Sequence, residues 1–231
     1  RPRFCLLYFH EPDWTGHKTG PRSQETAAVV SHLDSLFGDL ISKLEQLPIS
    51  NNLNIIAVAD HGMAEISSER TVDLSAYTDM SQIIQEGSGP YAFLYSKRKN
   101  IIEPAVDQLK KAEHISVYLK SDIPDRYHFK NHHRIKDALI VADEGWYIQN
   151  QAISSSSTAG EYVPTGGTHG YDNQLKSMHA LFIAQGPAFK NDIVTEPFEN
   201  VNIYPMIAHI LGIDPSKKID GNLNNIKHLL K

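Results

Sequence analysis

Three short stretches of this chain combine histidine, aspartate and glycine in ways that suit a metal ion. The first is Glu11-Pro12-Asp13-Trp14-Thr15-Gly16-His17. Asp13 and His17 are four residues apart, so one helical turn or a tight loop puts both side chains on one side. A carboxylate oxygen and an imidazole nitrogen held that way are suitable donors to Zn²⁺, and Gly16 would let the backbone pass close to an ion. The second stretch is Asp60-His61-Gly62-Met63, directly after the apolar run 53–59. Adjacent Asp and His converge on one ion only where the chain turns sharply, which Gly62 permits. The third is Thr165-Gly166-Gly167-Thr168-His169-Gly170-Tyr171-Asp172-Asn173, with glycines before and after His169 that allow close backbone approach. Taken singly, each has a blander reading: a polar loop with a surface histidine, a turn capped by Asp60, a flexible glycine-rich turn. Taken together they offer two carboxylates and three imidazoles, the ligand inventory of a binuclear site.

The elements around these stretches predict an α/β fold. Residues 3–9 form a continuous apolar run of strand length ended by Glu11-Pro12-Asp13, and the lone cysteine, Cys5, is expected to be buried and inert within it. A helix opens at Pro21 and Ser23, with Ala27, Val30, Leu33, Phe37, Leu40, Ile41, Leu44 and Leu47 forming one apolar stripe, and Pro48 stops it. A strand at 53–59 follows, apolar enough in its second half to be covered on both faces. Strand, helix, strand in that order implies a βαβ unit with a parallel sheet, and Asp60 would stand at the carboxyl end of a strand, where ligands gather in such sheets.

Further along, the pattern predicts a strand at 91–95, a helix near 101–112 and a strand at 115–119. Residues 135–142 and 146–149 read as a hairpin joined through Asp143-Glu144-Gly145, residues 151–168 as a loop, 179–184 as a strand and 203–211 as a terminal helix. The whole reads as one α/β domain over residues 1–231, incomplete at its N-terminal end. Asn131-His132-His133-Arg134 reads as a solvated loop, His209 as packed or locally satisfied, His179 as a neighbour of the third stretch, and Asp172 and Asn173 as partners orienting His169 or its loop.

Composition is that of an ordinary globular protein: 231 residues, 41% hydrophobic and 21% charged. The net charge of −5, from 27 acidic and 22 basic residues, comes with no basic stripe, which argues against a nucleic-acid duplex as partner. A single cysteine allows no disulfide within the chain, and no apolar stretch approaches the length of a membrane span.

The order Glu-Pro-Asp-x-x-Gly-His, Asp-His-Gly-Met, Thr-His-Gly-Tyr-Asp-Asn resembles the ectonucleotide pyrophosphatase/phosphodiesterase family of the alkaline phosphatase superfamily. The likeness continues in Val141-Ala142-Asp143-Glu144-Gly145-Trp146, Gly186-Pro187-Ala188-Phe189 and Ile203-Tyr204-Pro205-Met206. The resemblance implies an alkaline-phosphatase-like fold, a mainly parallel sheet flanked by helices, of which this chain would be the C-terminal part. It implies two Zn²⁺ ions, one held by Asp13, His17 and His169, the other by Asp60 and His61 together with an Asp and a nucleophilic Thr or Ser upstream. Neither of those upstream residues has a counterpart here. The expected location is extracellular or periplasmic.

The reaction such a site implies is hydrolysis of phosphodiester or pyrophosphate bonds in small, nucleotide-type substrates. Two metals about 4 Å apart can stabilise charge on the equatorial, entering and leaving oxygens, and a covalent intermediate on a hydroxyl splits the displacement into two steps. Phosphomonoesters, phosphonates or choline lipids are alternative substrates for the same metal site, and a catalytically inactive metal-binding fragment is an alternative of a different class.

Overall fold

The computed structural model describes residues 2–150 and 164–231. Its Cα packing divides the chain into two compact units, one of residues up to His10, Val30–His61 and His179–Lys231, the other of Glu11–Val29 and Gly62–Met178.

The second unit holds helices α1 (Asp13–Thr19) and α3 (Ile102–Leu109), and strands β2 (Ala64–Ile66), β3 (Thr71–Val72), β4 (Ile84–Glu86), β5 (Tyr91–Tyr95), β6 (Ile115–Leu119), β7 (Ala138–Ala142), β8 (Tyr147–Ile148) and β9 (Gly166–Thr168). Strands β4, β5, β7 and β6 form, in that order, an antiparallel sheet. Strand β7 is buried along its whole length, as its unbroken apolar sequence Ala-Leu-Ile-Val-Ala dictates. Helix α3 presents Ile102, Ala105, Val106 and Leu109 at helical spacing, all buried, and lies against β6. Burying each of its larger aliphatic chains stabilises the unit by roughly 1.5–3 kcal/mol.

The expected hairpin of 135–142 and 146–149 does not form. Gly145 adopts φ +79°, the turn closes through Trp146 N–H donating to Asp143 O, and the chain leaves β7 so that β8 pairs in parallel with β3. Four short strands were also not anticipated: β2, β3 and β4 are too short to show a period, and β9 lies inside the stretch read as a loop. The rest of that loop, residues 151–163, falls outside the described residues.

The first unit contains β1 (Ile55–Val58), antiparallel to β10 (Phe182–Gln185), and α4 (Ile203–Leu211). Phe189, Met206, Ile226, Leu229 and Leu230 form its core. Gly212, in the left-handed region at φ +67°, ends α4 where the sequence predicts. Helix α2 (Gln24–Glu45) runs from the second unit into the first, entered where Ser23 Oγ accepts from Thr26 N–H at 3.0 Å. Of its expected stripe, Leu33, Phe37, Leu40, Ile41 and Leu44 are half-buried, whereas Ala27, Val30 and Leu47 are exposed.

The architecture is mixed α/β, as expected, but its pairings differ from the sequence reading. Among the described residues the ladders are antiparallel except β3–β8. Residues 3–9 join no strand and are exposed throughout, Cys5 included, so the expected parallel crossover from 3–9 to 53–59 is not formed here. An apolar run becomes a strand only when a neighbour satisfies its backbone groups, and the described residues supply none. His209, expected to be packed or locally satisfied, is exposed on α4 and so not packed. Residues 131–134 are exposed, as a solvated loop should be. No helix among the described residues is long and apolar enough to cross a membrane.

Candidate metal centre

Helix α1 is short because both ends are fixed locally. Glu11 caps its first turn, with Thr15 N–H donating to Oε2 at 3.1 Å and Thr15 Oγ1 donating to Oε1 at 3.0 Å, and Gly20 at φ +92° ends it. Asp13 and His17 therefore stand one turn apart on one face, as the spacing predicts.

Gly16, between them, costs the helix about 1 kcal/mol relative to alanine. A Cβ there would lie 2.6 Å from Met63 Sδ, so a larger residue must displace the end of that side chain. A Cβ at Gly167 would lie 2.6 Å from the same sulfur and 2.7 Å from Gly16 O. The two glycines thus let α1 lie against β9 with Met63 wedged between them. The close approach at Gly16 is to the methionine side chain.

This contact brings His17 Nδ1 to 2.8 Å from Gly167 O. A carbonyl only accepts, so Nδ1 carries the proton and the neutral ring's lone pair is on Nε2. His17 Nε2 lies 3.4 Å from Asp13 Oδ1, and His169, carried on the residue after β9, places its own Nε2 3.5 Å from the same oxygen. The two rings are 5.0 Å apart at 51°. One donor atom from each of Asp13, His17 and His169 lies within 4.8 Å of the others.

Asp13 Oδ1 is itself buried with no hydrogen-bond partner. Such an orphaned acceptor costs about 1–3 kcal/mol, a cost that a cation removes. The donor chemistry, the tautomer and the orphaned oxygen all fit a metal ion. The side chains are 31–43% exposed, so the cluster is open to solvent.

Asp60 and His61 lie in the first unit, just beyond β1. His61 N–H donates to Asp60 Oδ1 at 3.1 Å, and His61 Nε2 is 3.5 Å from that oxygen. Asp60 is the open member of the pair, its side chain 78% exposed. His179 lies in the same unit and is exposed.

Arg126 binds both Asp172 and Asn173. Its guanidinium donates to Asp172 through Nη1 at 2.6 Å and Nη2 at 2.5 Å, and to Asn173 Oδ1 at 2.9 Å. Burial alone would raise the Asp172 pKa, but the bonds from Arg126, Gln174 N–H and Tyr127 hold it below the usual carboxylate value. Tyr127 is pushed up to about 12, first by burial and then by the Asp172 charge, and burial also raises Tyr171. Sequence reasoning did not single out Arg126. It lies in a single 3-10 turn, Asp125–Tyr127, too short to show a period, and the one signal available was Asp172, a carboxylate next to a ligand motif that needs a cationic partner.

The model of the type I phosphodiesterase/nucleotide pyrophosphatase family matches residues 1–172, well over half of the chain. The chain belongs to this family. The bis(5'-adenosyl)-triphosphatase enpp4 of Mus musculus is 39% identical over 229 residues, covering 98% of this chain and 48% of that protein. Ectonucleotide pyrophosphatase/phosphodiesterase family member 5 of Homo sapiens is 35% identical, covering 97% and 45%. The solved structure of murine ectonucleotide pyrophosphatase/phosphodiesterase 5 superposes with a TM-score of 0.83 at 34% identity, covering 97% of this chain and 58% of that one. The fold is therefore alkaline-phosphatase-like α/β, and the chain spans about half the length of the curated relatives it matches.

Proposed function

We propose that this chain is the C-terminal part, over residues 1–231, of one phosphodiesterase catalytic domain that hydrolyses phosphodiester or pyrophosphate bonds of nucleotide-type substrates. The observation that carries the reading is the convergence of Asp13, His17 and His169 around a buried carboxylate oxygen that accepts no hydrogen bond in a member of a phosphodiesterase family. Nucleotides are favoured because the relatives include a bis(5'-adenosyl)-triphosphatase. An inactive form of the murine family member 5 was also solved in complex with AMP.

In this reading Asp13, His17 and His169 hold one zinc ion, and Asp60 and His61 supply two ligands to a second. Bound zinc supplies Lewis acidity toward phosphoryl oxygens and lowers the pKa of an attacking hydroxyl or water. The chain's own residues prepare for this. Gly167 O fixes the His17 tautomer, so Nε2 is offered without a proton. Asp13 brings the negative charge that partly neutralises a dication, and Glu11 keeps the helix that carries it in place. The covalent acceptor, a Thr or Ser, is assigned to no residue of this chain. The location that goes with the reading is extracellular or periplasmic, in line with the ectoenzyme names of its relatives.

The test is the full-length protein, purified, analysed for zinc and assayed on bis(p-nitrophenyl) phosphate and on a dinucleoside polyphosphate. Zinc-dependent turnover of both, lost on chelation and restored by zinc, is the expected result. Stoichiometric zinc without diester turnover would overturn the diesterase reading.

A further inference from the structure

The His169 segment is fastened more firmly than a glycine-rich turn needs to be. Gly170, at φ +103°, lies against the Tyr91 ring and Pro90, where a Cβ would meet Tyr91 Cε1 at 3.2 Å. Tyr171 is buried and its hydroxyl donates to Trp146 O at 2.9 Å. Asp172 receives the two-pronged guanidinium of Arg126, the Tyr127 hydroxyl at 3.1 Å and Gln174 N–H at 2.9 Å. Asn173 accepts from Arg126 Nη1 and returns a bond from Nδ2 to Arg126 O at 3.3 Å. The chain is thus held at four consecutive residues, beginning with the one that follows His169.

The other end of the clasp is equally fixed. Tyr127 packs on the core of Ile123, Ile135, Leu139 and Val141, and the Arg126 guanidinium lies 4.4 Å from the centre of the Tyr127 ring. From buried strand β7 to His169 there is one continuous path: β7 side chains, Tyr127, Arg126, Asp172 and the backbone of Tyr171 and Gly170.

We propose that Arg126 is a positioning residue for the metal triad: by clamping Asp172 and Asn173 it fixes the segment that aims His169 at Asp13, and so sets the metal affinity of the site. The inference rests on the metal reading above. A planar fork that binds both oxygens of one carboxylate fixes orientation, where an ammonium would supply only charge. Residues that orient metal ligands from outside the coordination shell typically change metal affinity on the order of ten- to a hundredfold when lost.

The experiment is zinc affinity of the metal-stripped full-length protein, measured by competition with a chromophoric chelator. The variants are Arg126→Met, Arg126→Lys and Tyr127→Phe, with Val106→Ala, a buried α3 substitution away from the site, as the stability control. Arg126→Met is expected to weaken zinc binding about ten- to a hundredfold, and Arg126→Lys to restore little of it. Tyr127→Phe, which folds most readily because it removes a single hydroxyl, is expected to weaken binding by a smaller factor. If all three bind zinc as the wild type does, or no more weakly than Val106→Ala, the clasp has no positioning role. Failure of the metal reading gives a different pattern, since His17→Ala would then also leave zinc binding unchanged.

Discussion

His17 and Gly167, 150 residues apart, share a hydrogen bond of 2.8 Å between Nδ1 and the carbonyl oxygen. The bond does two things at once. It locks the imidazole in the tautomer that leaves Nε2 free toward Asp13 Oδ1, and it joins the helix carrying two of the triad to the strand that leads into the third. Metal binding and local packing are therefore linked through one backbone carbonyl.

Removing His17 should consequently empty the triad without unfolding the second unit, whose core lies elsewhere. Elemental analysis of full-length His17→Ala is expected to show one zinc fewer per chain than the wild type, with diester turnover lost. Unchanged stoichiometry would remove His17 from the ligand set.

Asp60→Asn tests the division of ligands. Asp60 pairs with His61 in the first unit, whereas Asp13, His17 and His169 cluster in the second. In the 231-residue chain by itself, which offers three ligands to one ion and two to the other, the substitution is expected to abolish the weaker of two zinc-binding phases and leave the tighter one within about twofold, because zinc affinity follows the number and preorganisation of ligands. Calorimetric titration separates the phases; loss of the tight phase would mean the ligands are shared differently.

How much of this was legible depended on the range of the signal. Strand 115–119 and helix 203–211 were readable because a local period and a local stop, the glycine at 212, specify them. The i, i+4 geometry of Asp13 and His17 was equally local. Residues 3–9 misled because an apolar run states a need for partners without supplying them, and the 143–145 turn misled because its glycine directs β8 to β3 rather than back along β7. That His169 belongs with Asp13 came from the family resemblance, not from spacing. The Arg126 clasp spans 46 residues to Asp172 and leaves no periodic trace.

The Met63 wedge predicts an asymmetry between two glycines. At Gly16 the new Cβ would meet only the flexible end of Met63, whereas at Gly167 it would also meet Gly16 O, which is backbone. Gly16→Ala should cost less than about 1 kcal/mol once Met63 shifts, since alanine regains helix propensity. Gly167→Ala should cost about 1–3 kcal/mol, as overpacking does. Combining each with Met63→Ala is expected to rescue Gly16→Ala and not Gly167→Ala in urea unfolding. Equal rescue of both would mean that the carbonyl contact is not limiting.

Asp172 predicts a pH dependence with a definite sign. Its carboxyl titrates lower in the folded protein than its ordinary value of 3.8, because Arg126, Gln174 N–H and Tyr127 outweigh the opposing effect of burial. A group depressed in this way stabilises the fold fully above its unfolded pKa, and that contribution is lost as pH falls through its folded value. Asp172→Asn keeps the shape, cannot ionise and lacks the contribution at every pH. The wild type should therefore exceed Asp172→Asn in urea midpoint most at about pH 6 and progressively less toward about pH 3. Chelator present throughout keeps zinc release out of the comparison. A gap that stayed constant over this range, or widened, would show that the Asp172 charge is not what Arg126 stabilises.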